Sequence, residues 1–156
     1  MQGTFYLLSP NQNQASQSSA LVAVQELACK LAEYHYRQKS KVYIHCGSRT
    51  AAFDIDETLW QFDPQSFVPH NLKGEGLEGC SPVEIGFDQI GPSTNRHLLI
   101  NLADQVPSFA VNFGQIIDFV AADEKLKAIA RDRFRQYKAM GVKLNTHDLA
   151  QQPLNI

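Results

Sequence analysis

Asp54-Ile55-Asp56-Glu57-Thr58 has the spacing in which one aspartate accepts a phosphoryl group and the second handles the leaving proton. That chemistry needs a hydrophobic strand ahead of the box, so that both carboxylates meet one metal. Ala51, Ala52, Ile55, Leu59 and Phe62 instead recur at helical spacing, and no later acidic pair completes a metal site. The acids read as the solvated face of a helix. His45-Cys46 stands at a strand-to-helix turn, a suitable place for a thiolate. The Arg such a nucleophile wants six residues later is replaced by Ala52, and Arg49 comes too early. Gly74-Glu75-Gly76-Leu77-Glu78-Gly79 has dinucleotide-loop spacing, but Cys80-Ser81-Pro82 and a strand follow where a helix N-terminus is required. Glu75 and Glu78 would also repel phosphate. The five histidines, His35, His45, His70, His97 and His147, show no metal-ligand spacing, and no Walker lysine is present. Each motif lacks the context its reaction requires, so no catalytic activity, cofactor or metal is expected.

Binding chemistry is better supported. Six of the fourteen Lys and Arg residues fall within one expected helix, Asp123 to Met140. Each residue advances about 100° around a helix axis. With Leu126 at zero, Lys127, Lys138, Arg131 and Arg135 lie at roughly 100°, 120°, 140° and 180°. Phe134, at about 80°, borders the apolar face of Leu126, Ile129, Ala130, Tyr137 and Met140. Cations edged by a ring suit a ligand both acidic and apolar; the plainer reading is a solvated helix face. That helix carries a charge of +3 and the remainder −5. An acidic body opposes the counterion release on which non-specific DNA binding depends, so a local contact with an acidic partner fits better.

The elements that must position these residues follow from hydrophobic period. Thr4–Leu8 reads as a short buried strand, and after a polar loop (11–18) a helix is expected from about Ser19 to Gln38. Lys41–Cys46 is a β-rich run, after which Ser48 can cap a second helix reaching Gln61, stopped by Asp63-Pro64. Strand, helix, strand, helix implies a single α/β domain with a mostly parallel or mixed sheet. Strands at Val83–Phe87 and His97–Leu102 are joined through Gly91-Pro92-Ser93, too short for a helical crossover, so a hairpin or mixed sheet is expected there. A short helix near Pro107–Phe113, a strand Ile116–Val120 and the basic helix follow, with Gly141 placed to end the last. The domain is expected over 1–146, with a polar, flexible tail at 147–156. Cys29, Cys46 and Cys80 are odd in number, at no ligand-like spacing, and read as reduced thiols. With no signal-peptide pattern and no apolar run of roughly 20 residues, a cytoplasmic, non-membrane location is expected.

One stretch is more specific than any of these patterns. Leu59-Trp60-Gln61-Phe62-Asp63-Pro64-Gln65-Ser66-Phe67-Val68-Pro69-His70-Asn71-Leu72, then Lys73-Gly74-Glu75-Gly76 and Pro82-Val83-Glu84-Ile85, resembles the chi-subunit family of the bacterial DNA polymerase III holoenzyme. The likeness extends from Thr4-Phe5-Tyr6-Leu7-Leu8 through Asp118-Phe119-Val120 to Leu144-Asn145. It implies an α/β fold resembling mononucleotide-binding domains but without nucleotide chemistry. It also implies a non-catalytic adaptor in DNA replication. Such a subunit pairs with psi in the clamp-loader complex and captures the acidic C-terminal tail of single-stranded-DNA-binding protein.

Carried over by position, the resemblance puts tail binding on Val120, Lys127, Arg131, Phe134 and Arg135, and psi binding on Trp60 and Phe67. The alternative for Trp60 and Phe67 is a place in the core. Phe134 stands where the family pattern has Tyr, and Ala121-Ala122 is smaller than the pair usual there. Two other functions would make different demands. A small haloacid-dehalogenase-type phosphatase would turn over phosphate esters with magnesium, and a direct nucleic-acid binder would retard single-stranded DNA unaided.

Overall fold

Among the described residues, seven strands form one sheet in the order β3-β4-β2-β5-β6-β1-β7, and every neighbouring pair runs parallel. The computed structural model describes residues 1–9, 17–62, 67–75 and 81–154. The polar loop at 11–16, the expected stop at Asp63-Pro64, the second half of the glycine motif and Cys80 lie outside those residues.

In chain order the elements are β1 (Gln2–Leu7), α1 (Gln17–Arg37), β2 (Val42–His45), α2 (Arg49–Gln61), β3 (His70–Leu72), β4 (Val83–Gly86), β5 (Leu98–Asn101), a 3-10 helix (Ser108–Asn112), β6 (Gln115–Val120), α3 (Glu124–Ala139) and β7 (Lys143–Asp148). β2, β4 and β5 are buried along their whole length, as central parallel strands covered on both faces must be. One face packs Ile44, Ile85, Ile100 and Ile117 against Leu27, Leu31, Ile55 and Leu59 of α1 and α2. The other packs Phe5, Tyr43, Leu99 and Ile116 against Phe109 and Phe113 around the 3-10 helix, and Tyr137 of α3.

The caps read from sequence are in place. Ser48 Oγ accepts the amide of Ala51, and Asp123 accepts that of Leu126 at 3.1 Å in each case. Gly141, at φ 87°, follows the last turn of α3, a conformation that favours glycine.

The expected hairpin between Val83–Phe87 and His97–Leu102 does not form. β4 and β5 lie on either side of β2, each parallel to it. Side chains do what a crossover helix would have done for the 87–97 link. Asp88 accepts the amides of Ile90 and Gly91, and Glu84 accepts Ser93 through both its amide (2.9 Å) and hydroxyl (2.6 Å). The buried Arg96 guanidinium donates to the carbonyls of Val42, Pro82 and Ser81. With the amides of Ile90, Gly91 and Ser93 so satisfied, the link carries the chain from the end of β4 back to the start of β5 without regular structure.

Two strands were not anticipated. β3 is only three residues, and β7, Lys-Leu-Asn-Thr-His-Asp, is mostly polar because it is a sheet edge. β7 takes in His147 and Asp148, assigned from sequence to the tail, and Leu149 and Leu154 pack against the core.

Candidate functional site

α3 turns Ala130, Arg133 and Tyr137 into the protein, which leaves Lys127, Arg131 and Phe134 facing the cleft beside β1 and β7. There a cavity of about 220 Å³ is lined by Phe5 and Leu7 of β1, Val120 of β6, Lys127, Ala130, Arg131 and Phe134 of α3, and Thr146 of β7. Phe134 is half-buried, its ring 5.3 Å from that of Phe5, and Lys138 Nζ lies 5.5 Å from the Phe134 centroid. The floor is apolar and one wall is cationic. Four of the five residues assigned to tail binding, Val120, Lys127, Arg131 and Phe134, therefore share one pocket. Arg135 does not line it and pairs on the exposed face with Asp132. Lys127 Nζ is 3.5 Å from Glu124 Oε1, whereas Arg131 has no carboxylate partner among the described residues.

Phe5, Leu7, Ala130 and Thr146 were not singled out from sequence. Phe5 and Leu7 carry the period-two signal of one strand face, but only the sheet order shows that β1 and β7 border α3. Arg133 was also missed as a separate case. It falls about 340° around the wheel from Leu126, on the apolar side, and that was a readable signal.

Arg133 is indeed buried, in a polar cluster between α3 and β6. Its Nε donates to both Asp118 oxygens at 3.1 and 3.0 Å, and its Nη2 to Asp118 Oδ1 at 2.9 Å. Tyr137 donates to Asp118 Oδ2 at 2.7 Å, the Phe119 amide to Oδ1 at 2.6 Å, and Asn101 Nδ2 to the Tyr137 hydroxyl at 3.1 Å. Burial pushes the Asp118 carboxyl up, opposed by Arg133, Tyr137 and the Phe119 amide. Burial, the largest single effect, would lower Arg133, but the charge and hydrogen bonds of Asp118, with Tyr137 and Asp104, together raise the guanidinium. This ion pair fixes α3 against β6, and with it the spacing of Arg131 and Phe134 from Val120.

A second feature lies on α2 and the segment leading into β3. Trp60 is 57% and Phe67 60% exposed, with ring centroids 5.4 Å apart, so neither is a core aromatic. The Trp60 ring also rests 4.9 Å from that of His70. The His70 side chain is fully buried; its Nδ1 lies 2.6 Å from the Val68 carbonyl oxygen. Its Nε2 lies 3.2 Å from Asp56 Oδ1, an ion-pair distance without hydrogen-bond alignment.

The catalytic look-alikes are dispersed. Asp54 is exposed on α2, Asp56 turns to His70, and Thr58 donates to the Asp54 carbonyl at 2.8 Å. Burial pushes the Cys46 thiol up to about 12, which makes it a poor nucleophile. Among the described residues no group of three or more His, Cys, Asp or Glu could hold a metal ion, and no helix is long and apolar enough to cross a membrane.

The family model described as DNA polymerase III chi subunit, HolC, matches residues 1–145. The DNA polymerase III subunit chi of Haemophilus influenzae is 42% identical over 145 residues, covering 93% of this chain and 95% of the relative. Its Escherichia coli counterpart is 40% identical over 143 residues, covering 92% and 95%. That of Pseudomonas aeruginosa is 37% identical over 124 residues, covering 80% and 85%.

Proposed function

The chain belongs to the DNA polymerase III chi-subunit family, and from that premise we propose that it is a non-catalytic adaptor of the replicative holoenzyme. It joins psi, and through psi the clamp loader, to the acidic C-terminal tail of single-stranded-DNA-binding protein. It works in the cytoplasm without a cofactor and without touching nucleic acid itself.

The observation that carries this reading is the pocket between α3, β1 and β7. An acidic peptide ending in an apolar residue needs an apolar floor, a cation for the terminal carboxylate, and further cations for the acidic residues before it. Phe5, Val120 and Phe134 supply the first, and Arg131 at the mouth supplies the second. Its planar fork can hold a carboxylate through two hydrogen bonds. Lys127, Arg135 and Lys138 supply the third along the same helix, Arg135 and Lys138 outside the cavity. Psi is assigned to the exposed Trp60–Phe67 pair, because large exposed rings are typical anchors of protein interfaces. The two surfaces draw on different elements, α3 with β1 and β7 for the tail, α2 and the segment before β3 for psi, so one chain can serve both partners.

The test is calorimetric titration with a free-acid tail peptide and its C-terminal amide. Tighter binding of the free acid, lost in Arg131→Glu, is the expected result. Equal affinity for both peptides would mean that the stripe is only a solvated helix face.

A further inference from the structure

The Trp60–Phe67 pair is too small to hold a partner by itself. Aromatic side chains cover about 150–250 Å² each, so at their exposures the two rings offer roughly 250 Å², against about 800 Å² on each side of a stable interface. The surface that psi covers must run on from the pair, and α2 shows where. Its inward residues, Ala52, Ile55 and Leu59, are already spent on the core. On the outer side Phe53 is 41% exposed. Phe53 and Trp60 stand seven residues apart, which puts them roughly 20° apart around the helix axis and about 10.5 Å apart along it. With the Phe67 ring 5.4 Å from that of Trp60, three exposed rings share one face.

The charges beside these rings are mostly of one sign. α2 carries three carboxylates, Asp54, Asp56 and Glu57, and one cation, Arg49. Asp56 turns to His70. Asp54 and Glu57 are exposed, and neither has a cationic partner among the described residues. Glu57 lies roughly 40° from Phe53 and about one turn along from it. Arg49 stands at the start of the helix, its guanidinium carbon 5.2 Å from the Phe53 centroid. Apolar anchors two turns apart, with carboxylates between them, suit a partner helix laid along α2. That helix would carry apolar residues at the same spacing, flanked by Lys or Arg.

Resting on the assignment of Trp60 and Phe67 to psi given above, we infer that Phe53, Asp54 and Glu57 belong to the same surface, and that psi docks there through a basic amphipathic helix packed along the outer face of α2. Phe53 extends the apolar anchor by two helical turns. Asp54 and Glu57 set the register of the partner helix, because its cations are attracted at the middle of α2 and repelled by Arg49 at the start.

Hydroxyl-radical labelling of the full chain, alone and with purified psi, tests the surface without any substitution. Psi should suppress labelling of Phe53 together with Trp60 and Phe67. Val111, 51% exposed on the 3-10 helix across the sheet, should keep its labelling. In titration calorimetry Phe53→Ala should weaken psi binding about tenfold and leave binding of the tail peptide unchanged. Affinity of the wild type for psi should fall as salt rises, and Asp54→Asn combined with Glu57→Gln should flatten that dependence.

Full labelling of Phe53 in a complex that shields Trp60 and Phe67, or normal psi affinity of Phe53→Ala, would overturn the extension and leave the pair as the psi site. Unchanged labelling of all three rings would overturn the surface assignment itself. Shielded rings with a salt dependence that the double variant retains would overturn the basic helix as the docking element.

Discussion

Arg133 grips Asp118 through three contacts of 2.9, 3.0 and 3.1 Å in the interior, while Arg131, two residues earlier on the same helix, faces the pocket mouth. Two arginines of one basic segment therefore do opposite work. One anchors α3 to β6 and the other is available to a ligand.

The anchor is expected to be costly to break from one side. Arg133→Met leaves a buried carboxylate without its guanidinium, and removing one partner of a buried pair costs about 3–5 kcal/mol. Asp118→Leu combined with Arg133→Met should recover part of that loss. Denaturant unfolding of the two variants checks both statements; a double variant no more stable than Arg133→Met would contradict the second.

At the pocket mouth, Arg131→Glu should reduce tail-peptide affinity by about 2 kcal/mol or more, roughly thirtyfold, with the melting temperature little changed. Affinity for the wild type should fall as salt rises, because the contact is with exposed cations and the screening length shortens. Phe134→Ala should remove an apolar contribution that is much less sensitive to salt. Lys30→Glu, on α1, serves as the control and should bind normally.

For the aromatic face, Phe67→Ala should weaken association with psi by about 2 kcal/mol. Its 60% exposure puts the expected stability change within about 0.5 kcal/mol. Co-purification with psi and a thermal melt on the same sample separate the two effects.

His45 gives an acid-side dependence. Burial lowers it from 6.5 to about 4, partly offset by Asp88. Between those values the unfolded chain binds a proton that the folded chain refuses. The stability from keeping His45 neutral is thus present above about 6.5 and lost as pH falls toward about 4. His45→Gln should show a shallower decline over that window in denaturant unfolding. An identical slope would show that His45 is not responsible.

Features that depend on a few neighbouring residues were legible in the sequence. Ser48 and Asp123 announce helix starts because a cap is a contact across three residues. The buried strands announce themselves by continuous apolar runs, and the stripe of Lys127, Arg131 and Phe134 follows from helical period alone. Tertiary structure decided what depends on residues far apart in the chain. Whether β4 and β5 paired with each other or straddled β2 turned on Glu84, Asp88 and Arg96 satisfying a loop, which no local period records. β7 is polar because it is an edge, so its pattern could not be told from a tail until its pairing with β1 was known. The exposure of Trp60 and Phe67 likewise turned on what packs beside them, since an aromatic residue has the same letter in a core or at an interface. Of the basic residues on α3, the helical wheel sets Arg133 apart on the apolar side, but only the sheet supplies the Asp118 it faces, because a buried charge needs a partner that the helix itself does not contain.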